Sequence, residues 1–299
     1  MNWMGRKKRS REKTGLLTHL FFIIFAVICI TPMMIVVSAS LTSVKDLSDY
    51  GFRLLPVRVD TSAYAYLFAN PKMIIDGYLV TIFITLVGTF LSVLFMSMMA
   101  YALARPQFKL RNYMAFFIFL PTLFSGGLVS SYLINSRYLH LTDSVWAMIL
   151  PGLVNAFHIF MIRTFFKELP QSLFEAAQVD GANEWRIYFT IALQISRPVL
   201  ATVAFMGMLT RWNEWYNAML YIRSSEKYPL QYLLQRMMMN LQELLDNMDK
   251  IPGGLNITEI PGENLRMALL VVCIGPIMLI FPFFQKYFTK GMTVGSVKG

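Results

Sequence analysis

The chain is poor in charge, in cysteine and in histidine. Asp, Glu, Lys and Arg together make up 15% of its 299 residues, too few for the surface of a soluble domain of this length. Its two cysteines, Cys29 and Cys273, both lie inside apolar runs, where a thiol packs as a small hydrophobe. They offer neither a disulfide framework nor metal-ligand spacing. With 3 histidines and no metal-ligand cluster, no metal centre or other bound cofactor is expected. No G-x-x-x-x-G-K-[ST] phosphate loop is present, and no nucleophile–base pair stands out, so the chain is expected not to hydrolyse ATP itself.

What fills the chain instead is apolar sequence. Hydrophobic residues reach 56%, and mean hydropathy is +0.51. Several charge-free runs exceed the roughly 20 residues that cross a bilayer core. The expected fold is therefore an all-α polytopic membrane protein. Six spans are predicted, over residues 16–41, 77–104, 112–135, 144–165, 199–222 and 265–285. Pro32 is expected to bend the first, with Pro121 and Gly126-Gly127 breaking the third. A short helix is predicted over 60–69, and another opens at Tyr228 and runs through Met239.

The net charge of +10 does not point to nucleic acid. Much of the excess is one cluster, Arg6, Lys7, Lys8, Arg9, Arg11 and Lys13, placed directly before an apolar run. That is the pattern of a cytoplasmic anchor on an anionic bilayer surface. The run from Thr14 to Val44 is too long for the apolar region of a signal peptide. With six spans both termini share a side, and the loops on that side hold more Lys and Arg than the opposite loops. Both termini are thus expected in the cytoplasm, with residues 223–264 outside. The organisation read from the sequence is a basic tail over 1–15, a transmembrane domain over 16–290 and a C-terminal tail over 291–299.

One polar stretch, Lys167 to Pro198, is rich in helix punctuation. Ser172 and Glu175 match a capping box. Leu173, Phe174 and Ala177 share one helical face. Gly181 is a C-terminal stop, and Asn183 can cap a second helix over Glu184 to Leu193. Two short helices joined by an Asp180-Gly181 bend are expected.

Glu175-Ala176-Ala177, Asp180-Gly181-Ala182, Ile191-Ala192-Leu193 and Pro198 resemble the EAA motif of the inner-membrane permease subunits of ABC importers. The family's usual Leu-Pro is replaced here by Leu193-Gln194. The C-terminal Phe284-to-Gly299 stretch resembles the end of carbohydrate-importer permeases, and the branch is similar to the maltose-system G-type and LplC-like oligosaccharide permeases. The resemblance implies a type I ABC importer permease fold in the bacterial inner membrane. It implies that Glu175, Ala176, Ala177, Asp180 and Gly181 dock on a cytoplasmic ABC ATPase dimer, which carries the ATP and Mg. It also implies a second, related permease in a heterodimer, an extracytoplasmic solute-binding protein and an oligosaccharide substrate.

The fifth span holds a polar run: Arg211, Trp212, Asn213, Glu214, Trp215, Tyr216 and Asn217. Ionisable residues within a span face a protein interior or a watery cavity. Two readings stand side by side. One is an Arg211–Glu214 ion pair beside an interfacial tryptophan belt. The other is a sugar path, with aromatic faces stacking on rings and amide or carboxylate groups bonding hydroxyls. Asn155 and His158 in the fourth span are expected to pack rather than to relay protons. An ion-driven secondary transporter and a non-transport assembly subunit are the rival classes; copurification with an ATPase separates them from an importer.

Overall fold

A computed structural model describes residues 3–69, 71–246 and 262–294. Part of the predicted external loop and the last residues of the C-terminal tail lie outside that set. All regular elements among the described residues are helical. The chain divides into two compact units, one of Met1–Pro71 with Met237–Ile274 and one of Lys72–Arg236 with Gly275–Gly299.

In the first unit, α1 spans Trp3–Ser40. Its span from Thr18 is strongly apolar, and apart from Ser38, Ala39 and Ser40 at its end it carries no buried residue. A bare helix of that kind is stable only where lipid or another subunit replaces water. Helix α2, Val44–Tyr50, starts at Ser43, whose side chain accepts from the Asp46 amide, and ends at Gly51 with φ +68°. Helix α3, Ser62–Ala69, matches the predicted short helix. The Ser40 hydroxyl and Tyr64 hydroxyl lie 2.8 Å apart, tying α3 to the end of α1.

The second unit is built on α4, Pro71–Ala104. Its 34 residues make a rod of about 51 Å at 1.5 Å per residue. Asp76 lies inside this helix and pairs with Lys72 one turn earlier at 3.4 Å. The buried side of α4 carries Gly77, Thr81, Thr85, Gly88, Thr89, Ser92, Ser97 and Ala100. Small residues at this spacing let another backbone come close, as in membrane helix packing. A Cβ at Gly77 would lie 2.9 Å from Leu233 Cδ1, and one at Gly88 would lie 2.7 Å from Arg211 Cδ.

The predicted third span is two helices, α5 (Arg111–Leu123) and α6 (Gly127–Leu133), the latter extended by a π turn to Tyr138. They meet at 117°. The break falls at Phe124–Gly126 rather than at Pro121, and Gly127 has φ +78°, which a side chain would oppose.

The predicted fourth span is not one helix. A 3₁₀ turn over Val145–Met148 is followed by an irregular stretch, then by α7, Ala156–Lys167. Asn155 opens α7 by accepting from the His158 amide at 3.1 Å, a cap that halts the helix short of residue 144. Helices α8 (Gln171–Val179), α9 (Glu184–Ile187) and α10 (Leu193–Ile195) follow, with a π turn over Tyr188–Ala192 between the last two. Helix α11, Arg197–Trp212, meets the α9–α10 arm at 80°. The predicted fifth span therefore stops at Trp212 and resumes as α12, Tyr216–Tyr221.

Helix α13 runs over Leu230–Asp246, further than predicted, and α14 over Glu263–Val294. Two helices are long and apolar enough to cross a membrane, or up to four if each bent pair counts as one span.

The second unit has two main apolar cores. One joins Met96, Ala100 and Leu103 of α4 to Ile159, Ile162 and Phe166 of α7, with Phe174, Ile187, Tyr188 and Val203. The other joins Ile84 to Met148, Ile149, Ala218, Tyr228 and Leu233. The Leu230 amide donates to Thr81 Oγ1 at 3.0 Å, fixing the start of α13 on α4.

Candidate functional site

The helical pair α8–α9 forms for local reasons. Pro170 occupies the N-cap position of α8, and no side chain caps it. The predicted Ser172–Glu175 capping box is therefore absent. Helix geometry already begins at Gln171, which leaves Ser172 inside the first turn and Glu175 beyond reach of the cap.

At the other end the expectation holds. Gly181 has φ +77°. The Ala182 amide donates to the Ala177 carbonyl at 2.9 Å and the Gly181 amide to the Gln178 carbonyl at 3.0 Å. Those two bonds make a Schellman stop. Asn183 then accepts from the Arg186 amide at 2.8 Å, opening α9 as predicted.

Phe174 is buried and Ala177 packs against the core, whereas Leu173, expected on the same face, is exposed. Glu175, Ala176, Asp180 and Gly181 point away from the core, and Val179 is 88% exposed. The pair thus presents charge, small residues and uncovered apolar surface on its outer side.

Its inner side is fastened by a polar network that sequence reasoning missed. Arg105, at the end of α4, is buried. Its guanidinium lies 4.6 Å from the Phe174 ring centroid and 5.7 Å from that of Tyr101. It donates to Glu184 Oε1 at 3.0 Å, while the Tyr101 hydroxyl donates to Glu184 Oε2 at 2.6 Å. Gln178 Nε2 also donates to Glu184, at 3.1 Å. The Tyr188 and Ser97 hydroxyls lie 2.7 Å apart, adding a second tie. The available signal was Tyr101 and Arg105 one helical turn apart, which reads only as a basic loop boundary without its distant partner.

A second polar cluster lies within the helices. Arg211 is buried. It donates through Nη2 to Ser92 Oγ, through Nη2 to the Gly152 carbonyl at 3.0 Å and through Nη1 to the Gly207 carbonyl at 3.2 Å. The considered ion pair with Glu214 does not form. Glu214 instead accepts from the Asn217 amide and side chain, both at 2.9 Å, and so opens α12. Arg211 lines a cavity of about 60 Å³ with Ser92, Thr89, Asn155, His158 and Thr210. Trp212 is buried, Asn213 donates to the Leu209 carbonyl at 2.8 Å, and Trp215 packs on the second core. Of the seven residues of that polar run, Arg211 is the one that lines this cavity.

Just beyond the end of α12, Asp143 binds the 223–227 segment. It accepts from the Arg223 and Ser224 amides, the Ser224 hydroxyl at 2.6 Å and Lys227 Nζ at 3.0 Å. The Ser224 and Lys227 hydrogen bonds hold its carboxyl well below the usual aspartate range.

Apolar helices packed around a polar cavity, with an outward-facing helical pair fixed to α4, define a membrane transport subunit. Residues 61–294 match the family described as binding-protein-dependent transport system inner membrane component. The chain belongs to that family, and is accordingly a transport component rather than an enzyme.

The chain is 36% identical over 284 residues to the polygalacturonan/rhamnogalacturonan transport system permease protein YtcP of Bacillus subtilis (strain 168), covering 95% of this chain and 98% of that one. To the arabinooligosaccharides transport system permease protein AraQ of Halalkalibacterium halodurans it is 30% identical, over 98% of this chain and 100% of the relative. Among solved structures it resembles a chain of a bacterial ABC transporter involved in the import of the acidic polysaccharide alginate. The TM-score is 0.79 at 30% identity, covering 94% of this chain and 98% of that one.

Proposed function

We propose that the chain is one of two related permease subunits of an ATP-driven importer that takes up an oligosaccharide. In this reading six spans cross the bacterial inner membrane with both termini in the cytoplasm. The relatives' roles in polygalacturonan/rhamnogalacturonan and arabinooligosaccharide transport systems support the substrate class. The single observation that carries the coupling role is the α8–α9 pair: outward-facing Glu175, Ala176, Asp180 and Gly181 on a unit bonded to α4 through Glu184. A cytoplasmic ATPase dimer, which binds ATP and Mg, grips this handle. Its motion reaches the spans because the handle cannot slide independently of α4.

The uncovered apolar side chains of α5, such as Phe116, Phe117 and Tyr113, offer surface to lipid and to the second permease. On the opposite side of the membrane, α13 starts from a segment held by Asp143 and Thr81, a rigid base for contact with a solute-binding protein.

The test is copurification and uptake. The chain, expressed with a second permease, an ABC ATPase and a solute-binding protein from the same organism, should purify as one complex and import labelled oligosaccharide on ATP addition. In the same cells Ser225→Cys should react with an impermeant thiol reagent from outside, and Ser172→Cys should not. Labelling of Ser172→Cys alone inverts the topology, and uptake without any associated ATPase favours an ion-driven carrier.

A further inference from the structure

The Arg211 cavity carries more than a role in packing. An arginine is always charged, and burying a charge is costly unless it is paired. Four ion pairs occur among the described residues, and Arg211 is in none of them. Its hydrogen-bond partners, Ser92, Gly152 and Gly207, are all neutral, and its Nε has no partner. Glu214, the nearest acid in sequence, is engaged with Asn217.

The surrounding backbone is fitted to this one side chain. A Cβ at Gly88 would press on its Cδ, and one at Gly207 would lie 3.2 Å from its Nη1. The cavity of about 60 Å³ has room for a small polar group such as a carboxylate, or for water. Thr89, also on its wall, has a buried hydroxyl without a partner. Asn155 and His158 supply further polar groups.

Neutral sugar hydroxyls would be served by the threonine, asparagine and histidine alone. A fixed cation with no ion-pair partner among the described residues calls for an anion from the ligand. We infer that this cavity is a subsite for a carboxylate-bearing sugar residue, so that the importer's substrate class is acidic oligosaccharide. The inference rests on the importer reading above. The carboxylate replaces solvent as the partner of Arg211, and the low local dielectric strengthens that pairing.

The probe is labelled trigalacturonate, compared with its carboxyl-reduced counterpart, which differs only in the acid groups. Equilibrium dialysis of each against the purified complex without binding protein reads the permease alone. The wild-type complex should hold the acid form at least about tenfold more tightly, the order expected for a charge-assisted bond. Arg211→Gln should abolish that preference, and Arg211→Lys should retain part of it. Equal affinity of the wild type for both probes overturns the subsite, whether or not the variants assemble. A preference that survives in Arg211→Gln overturns it too. A wild-type complex that imports neutral oligosaccharide yet shows no acid preference sinks this inference alone. One that imports neither probe sinks the importer reading.

Discussion

Tyr101 and Glu184, 83 positions apart, share a hydrogen bond of 2.6 Å that fastens the start of α9 to the end of α4. The bond is charge-assisted and is joined at the same carboxylate by Arg105 and Gln178. A partner that moves the α8–α9 pair therefore moves α4 as well.

Breaking that fastening should uncouple hydrolysis from transport. Tyr101→Phe removes one hydrogen bond to a half-exposed carboxylate, so it should cost about 1 kcal/mol or less of stability. Arg105→Gln removes the stacking on Phe174 and Tyr101 as well as the ion pair, and should cost more. In both, the ratio of sugar imported to ATP hydrolysed should fall further than thermal stability does. An unchanged ratio in Arg105→Gln would show that α4 receives the motion by another route.

Glu175 separates docking from folding. Because α8 starts at Gln171 without a capping box, Glu175→Gln should leave the helix intact. Glu175→Lys should weaken ATPase binding strongly, with glutamine intermediate. Circular dichroism of both variants should match the wild type, and affinity for the isolated ATPase gives the ranking. Normal ATPase affinity in Glu175→Lys would remove this residue from the docking surface.

Gly181 acts through its backbone. Nothing lies within 4 Å of a Cβ built there, so the cost of a side chain is the left-handed φ of +77° alone. Gly181→Ala should destabilise the bend by about 1–2 kcal/mol, and Gly181→Asn by less. Protease cleavage between α8 and α9 should rise in that order, Asn before Ala.

Asp143 should set a pH limit far from neutrality. Its carboxyl is depressed in the folded chain, so its contribution is complete above the ordinary aspartate value of about 3.9 and lost as pH falls through the lowered one. Binding-protein-stimulated hydrolysis should be flat from pH 5 to 8 as far as this residue is concerned. Asp143→Asn tolerates the φ of +56° yet loses the ionic partner of Lys227. It should raise proteolysis of the 223–230 segment severalfold. Wild-type cleavage rates in that variant would contradict the clamp.

Much of this was legible in the sequence, and the reasons for the rest are physical. Long apolar runs announced the helices, and Gly181 and Asn183 announced the bend, because those signals are local. The capping box failed because Pro170, rather than Ser172, caps α8, so the helix starts two positions early. The fourth span failed because Asn155 opens a helix in the middle of an apolar run, and hydropathy does not register a cap. The Arg105–Glu184 and Asp143–Lys227 ties were invisible for another reason. Each joins residues about 80 positions apart, and nothing in either local pattern names its partner. For Arg211, a span containing an arginine and an acid three positions on suggested a pair. The chain instead breaks at Asn213 and turns the acid toward α12.

The 80° elbow between the α9–α10 arm and α11 changes the direction of a push. Ser196, fully buried, stands at the corner, and the arm and the rod run off from it almost at right angles. Force applied lengthwise on the arm arrives at α11 as a sideways load, swinging the rod about its foot. Displacement from such a swing grows with distance from the pivot. In the coupling proposed above, Arg211, one residue from the far end of α11, would therefore shift more than the residues beside Ser196.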